Sequence, residues 1–250
     1  MYSTKSRAPK APATEPAWAR SALVLCAHGV DGGAGSAVAH ARRLAARGLF
    51  GEVRACCLHG EPSLADTVAA VSQERVYVVP FLMGEGHTAQ VVLPRELARL
   101  SGPGKTVTLC RPVGTGAGLE DIVARRAAAA CRAAGWPPEE AVLAVAGHGT
   151  PRHTGSGRAA LALADRFRRG GGFKDAAAGF LEQEPSLADL VARHRGERIV
   201  AVGLFADDGP HGRDDMARLL APAGDDAIYL GAIGTAPEMA ALILDSVRGA

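Results

Sequence analysis

Aromatic residues are scarce in this 250-residue chain, at 4%. A core of large stacked rings is excluded, and closely packed, alanine-rich helices are expected instead. Charges nearly cancel, with Lys+Arg 28 against Asp+Glu 26 for a formal +2, so charge gives no case for a nucleic-acid partner. No apolar run approaches the ~18–20 residues of a spanning helix, which excludes a membrane protein. The five cysteines (Cys26, Cys56, Cys57, Cys110, Cys131) form no C-x-x-C pair. That argues against an iron–sulfur cluster or a cysteine zinc site, and it suits reduced, buried thiols in a cytoplasmic protein. The glycine runs Gly32–Gly35 and Gly170–Gly172 lack the lysine and hydroxyl of a phosphate loop and the spacing of a dinucleotide site. No nucleotide cofactor is expected.

What the chain does have is a 48% apolar content and a repeat. His28-Gly29 after SALVLCA returns as His148-Gly149 after AVLAVAG, roughly 120 residues later. EPSLAD occurs at Glu61–Asp66 and again at Glu184–Asp189, VPFLMGEGH matches GLFADDGPH, and PVGTGAGLE matches AIGTAPEMA. All four matches keep their order, so the chain is a tandem duplication. Strand-length apolar runs at 21–27, 52–58, 75–82 and 105–110 alternate with helical stretches, and the second copy repeats this with strands near 141–146, 175–181, 197–205 and 226–231. The pattern predicts two α/β domains, each a parallel sheet flanked by helices, over 21–135 and 140–250, joined at WPPEE. Residues 1–20, rich in proline, alanine and basic residues, read as a disordered leader.

Parallel strands bring the residues after their carboxyl ends to one edge. In the first copy these are His28, His59 and His87; in the second they are His148, Glu182 and His211. Imidazoles with or without a carboxylate suit a borderline divalent ion such as Co²⁺, Fe²⁺, Ni²⁺ or Zn²⁺. The His-Gly pair has a plainer reading as a turn needing glycine, although its recurrence favours the metal. His40, His153 and His194 lack counterparts and are expected on the solvated surface, and Glu61 and Glu184 are expected to start helices.

AGHGT with Arg152, FLEQEPSLADLV and FADDGPHGRDDM resemble the sirohydrochlorin cobaltochelatase/ferrochelatase family of class II chelatases, and VYVVPFLMGEGHTAQVVLPREL is similar to its second histidine segment. The resemblance implies two flavodoxin-like domains holding a tetrapyrrole in the cleft between them, with Co²⁺ or Fe²⁺ inserted on the routes to cobalamin or sirohaem. It carries the family's metal-site pattern onto His148, Glu182 and His211, which makes these the expected catalytic set. His28 and His87 are retained in the first copy, where His59 replaces the glutamate and Val91 stands opposite Asp215. Arg152 and Arg213 are candidates for pairing with substrate carboxylates, and His59 for substrate contact. A metal or tetrapyrrole carrier without turnover is the alternative. A histidine-phosphatase-like enzyme would need an arginine before each histidine, where Ala27 and Gly147 stand. Because the fused copies replace a symmetric dimer, a monomer is expected.

Overall fold

The computed structural model describes residues 18–29, 33–100, 104–150 and 157–250. Most of the expected leader and residues Val30, Arg152 and His153 lie outside this range. In the first copy β1 (Ser21–Ala27), α1 (Ser36–Ala45), β2 (Glu52–Cys57), α2 (Leu64–Ala70), β3 (Arg75–Pro80), α3 (Leu93–Leu100), β4 (Thr106–Leu109) and α4 (Leu119–Ala133) follow in order. The second copy repeats them as β5 (Ala141–Gly147), α5 (Arg158–Gly170), β6 (Asp175–Phe180), α6 (Leu187–Arg193), β7 (Arg198–Gly203), α7 (Met216–Leu220), β8 (Ala227–Ala232) and α8 (Met239–Arg248). The sheets run β2-β1-β3-β4 and β6-β5-β7-β8, all parallel.

β1 and β5 are buried along their whole length, as continuous apolar runs covered by helices on both faces must be. One face of each sheet points outward, β1 onto α2 and α3 and β5 onto α6 and α7. The inner faces share one core. Leu23 and Leu25 of the first sheet and Leu143 and Val145 of the second belong to the same apolar cluster as Leu44, Val123, Leu163 and Ile243 of the helices between them. The final helices are exchanged in this layer: α4 packs against β7 and β8, and α8 against β3. The copies therefore repeat in sequence without being separable in packing.

The duplication extends to single hydrogen bonds. Leu58 N–H reaches Ala27 O at 3.0 Å and Leu181 N–H reaches Gly147 O at 3.1 Å. Phe81 N–H reaches Cys26 O at 2.8 Å, matching Leu204 N–H to Ala146 O at 2.7 Å. Ser63 and Ser186 cap α2 and α6 by accepting from the N–H of Asp66 and Asp189. The helices thus start at these serines, two residues beyond Glu61 and Glu184. Gly171, with φ 73, ends α5.

His40 and His194 are corrections to the sequence reading, because both are buried. His40 shares the inward stripe of α1 with Ala37, Ala41 and Leu44, and its Nε2–H donates to the carbonyl of Gly234 in the other copy at 2.8 Å. Burial holds its pKa below the ordinary imidazole value. Beside it Asp207 accepts from Ser36 N–H at 2.5 Å, so this edge between the copies is closed. On the opposite edge Gly84 faces Ala159, and a cavity of about 640 Å³ opens there. Ion pairs Arg166–Glu120 and Arg126–Glu238 cross between the copies at 2.8 and 3.4 Å. Both are substantially exposed and contribute little, about 0–1 kcal/mol each.

Trp18, at the end of the expected leader, stacks on Phe50 at 5.1 Å. All five cysteines are free and buried. Among the described residues no helix is long and apolar enough to cross a membrane.

Candidate metal centre

His148 follows β5 directly, and Gly149 after it takes φ 70. The first copy has Gly29 at φ 113, where a Cβ would sit 2.1 Å from the carbonyl of His59. The turn reading of His-Gly therefore holds, since glycine permits the turn, and the same turn carries the imidazole at the sheet edge. Glu182 N–H donates to His148 O at 3.0 Å, just as His59 N–H donates to His28 O at 3.1 Å. Glu182 and His59 are thus structural equivalents, as the repeat implied. His211 opens a π-helical turn (His211–Asp215) that leads into α7.

The Nε2 atoms of His148 and His211 lie 3.2 Å apart. Each Nδ1 is engaged elsewhere, that of His148 with Gly149 O at 2.7 Å and that of His211 with Asp215 Oδ2 at 2.8 Å. A carbonyl or carboxylate oxygen only accepts, so both Nδ1 atoms carry the hydrogen and, in the neutral rings, both Nε2 atoms present lone pairs. Two lone pairs at that distance repel unless a cation lies between them. Two nitrogens each ~2.1 Å from one ion, at angles of about 90–109°, are themselves roughly 3.0–3.4 Å apart. The observed spacing falls within that range.

Glu182 lies on the Nδ1 side of His148, its Oε2 3.7 Å from that nitrogen, and its side chain is exposed. Among the described residues no three His, Cys, Asp or Glu side chains stand ready together around one ion; the imidazole pair is in place and the carboxylate stands beside it. Asp215 also accepts from Arg218 at 3.0 Å. Its bonds to His211 and then Arg218 hold its carboxyl below the usual carboxylate range. Glu182, His211, Asp215 and Arg218 line a pocket of about 300 Å³.

In the first copy the rings of His28 and His59 lie 5.1 Å apart, tilted by 51°. His87 is exposed immediately before the equivalent π-turn (Thr88–Val92). A pocket of about 320 Å³ matches that of the second copy, with His59 at the place of Glu182 and Val92 at that of Asp215. The sequence pairing of Asp215 with Val91 thus shifts by one, because the first copy holds an extra residue between its histidine and the helix. Both candidates are valine. Arg213 is exposed two residues beyond His211 and lines neither pocket, while Arg152 lies outside the described residues. The sequence reading overlooked Asp215 as a partner of His211, although its i,i+4 spacing was visible. The Gly149 carbonyl gave no signal at all, because every residue carries one.

The fold is a duplicated parallel α/β architecture whose second copy brings two imidazoles together at the carboxyl edge of its sheet. The chain belongs to the CbiX family, whose model matches residues 22–130 and 142–250. A probable sirohydrochlorin cobaltochelatase of Halobacterium salinarum is 30% identical over 267 residues, covering 92% of this chain and 91% of that protein. The structure of CbiX, the terminal enzyme for biosynthesis of siroheme in denitrifying bacteria, superposes with a TM-score of 0.72 at 26% identity, over 91% of this chain and 98% of that one. SirB from Bacillus subtilis with Fe³⁺ shares the fold, with a TM-score of 0.75 at 19% identity over 91% and 94% of the two chains.

Proposed function

We propose that this chain inserts a divalent metal, Co²⁺ or Fe²⁺, into a sirohydrochlorin-type tetrapyrrole, serving cobalamin or sirohaem synthesis. The observation that carries this is the 3.2 Å pair of Nε2 lone pairs on His148 and His211. In insertion, two pyrrole N–H bonds break as metal–nitrogen bonds form, and two protons leave. His148 and His211 hold the ion. Glu182 turns toward it, offsets part of its charge and accepts one pyrrole proton, and the other passes to solvent water. The relatives named above as a cobaltochelatase and as an enzyme of siroheme synthesis support this reading and cover both metals.

The 640 Å³ cavity suits the tetrapyrrole. It is bounded by Glu85 and Gln90, which flank His87, and by Arg158, which opens the helix following the His148 loop. Arg158 and Arg166 both line it from α5; Arg166 is held by Glu120, so Arg158 suits bidentate pairing with a substrate carboxylate, and Arg213 is a further candidate. His28, His59 and His87 form an auxiliary site. The two copies, 21–135 and 140–250, act as an internal dimer, so one chain suffices. The test is to mix purified protein with sirohydrochlorin and Co²⁺, Fe²⁺ or Ni²⁺ in turn, following absorbance. Insertion well above the protein-free rate is expected. Tight Co²⁺ binding with no acceleration would instead make the chain a carrier.

A further inference from the structure

One difference between the copies lies beside the proposed metal site and outside its ligand set. In the second, the carboxylate of Asp215 bridges Nδ1 of His211, at 2.8 Å, and Nη2 of Arg218, at 3.0 Å. In the first, Val92 lines the equivalent pocket with Val91 before it, and neither side chain accepts a hydrogen bond. We infer that Asp215, anchored by Arg218, is a positioning residue that locks His211 with its Nε2 lone pair toward His148.

A neutral imidazole exchanges its hydrogen between two nitrogens, and only the Nδ1–H form offers Nε2 to an ion. A carboxylate on Nδ1 selects that form, fixes the ring plane and strengthens the donor nitrogen. Asp215 can do this without wandering because its second oxygen is tied to Arg218 one turn along. His148 achieves the same through the Gly149 carbonyl at 2.7 Å, so both ligands are set before an ion arrives. Asp215 points at Nδ1, away from the shared ion position, and so acts through His211.

This inference rests on the proposed metal site, and the experiment separates the two. Co²⁺ binding is titrated by its visible absorption in the full chain and in Asp215→Val, Asp215→Asn and His211→Ala, with thermal unfolding of each as a folding control. Asp215→Val installs the first-copy residue and is expected to weaken Co²⁺ binding about 10–100-fold with a changed Co²⁺ spectrum, while KM for the tetrapyrrole stays within about twofold. Asp215→Asn keeps an oxygen for Nδ1–H and is expected to recover most of the affinity and the wild-type spectrum, which a purely structural role would not require. Wild-type affinity and spectrum in a folded Asp215→Val, alongside loss of binding in His211→Ala, overturns the positioning role and leaves the site intact. Undiminished binding and insertion in His211→Ala overturns the site itself.

Discussion

At the scale of single residues, the two copies set one chemistry against a weakened version of it. Glu182 and His59 each donate the same backbone N–H to the carbonyl of His148 and His28, yet in the proposed reaction only the glutamate brings a negative charge to offset the ion's. His211→Ala is therefore expected to abolish insertion. Glu182→Gln is expected to slow it by about 10²-fold or more, the range of a lost proton acceptor, while retaining Co²⁺ binding. His87→Ala is expected to be the mildest of the three. Insertion rates measured under one set of conditions decide this. An inactive His87→Ala beside a near-normal His211→Ala would move the working site to the first copy. The histidines and Glu182 were legible because the duplication placed them at matching strand ends. Their ring orientation was not, since it depends on the Gly149 carbonyl and on a carboxylate whose counterpart is displaced by one residue.

Among the elements, α1 shows why strands were easier to read than faces. Apolar runs located the eight described strands to within a few residues. The central β1 and β5 were the cleanest, since a strand covered on both sides leaves no room for polar side chains, whereas the edge strands β2 and β4 carry Glu52, Arg54, Thr106 and Thr108. His40 was assigned to the surface by its residue type, although Ala37, Ala41 and Leu44 put it on the buried stripe. The matching place in α5 is Leu163, also fully buried, so one copy spends a histidine where the other spends a leucine. The histidine supplies a hydrogen bond to Gly234 across the copies, and it makes stability depend on pH. Burial lowers its native pKa against the opposing hydrogen bond to the Gly234 carbonyl, with Arg43 acting in the same direction as burial and Asp207 opposing. The unfolded chain's histidine titrates near ~6.5, so between the two values the unfolded state binds the additional proton. Stability then falls as pH drops below about 6.5 and levels off once native His40 is itself protonated. Glu52, Glu197 and Asp215, whose native pKa values are lowered, lose their contribution only in the more acidic carboxylate range. Urea unfolding from pH 7.5 to 5 is expected to show the loss, and His40→Leu is expected to flatten it. At pH 7.5 the same variant is expected to be less stable by about 1–3 kcal/mol, because the Gly234 carbonyl loses its donor. An unchanged slope in His40→Leu would exclude this source.

For the whole molecule, the exchange of α4 and α8 decides what the duplication means physically. A repeat in sequence suggests two domains that could be cut apart at WPPEE, and nothing in the periodicity of either helix says which sheet it covers. In the fold, α4 leaves the first copy to lie on β7 and β8, while α8 returns to β3. Leu23 and Leu25 share their cluster with Leu143 and Val145, so cutting the chain exposes the inner face of each sheet and strands the apolar side of each exchanged helix. Residues 18–135 or 136–250 expressed alone are therefore expected to lack a cooperative monomeric unfolding transition, or to pair with a second copy of the same half, which can offer the missing helix in trans. Mixed in equal amounts, the halves are expected to assemble one to one and to regain metal insertion, since His148, Glu182 and His211 all come from the second half and only the facing wall from the first. Sedimentation velocity and thermal unfolding of each half and of the mixture test this. A half that melts cooperatively as a monomer would show that the shared helical layer is dispensable for folding.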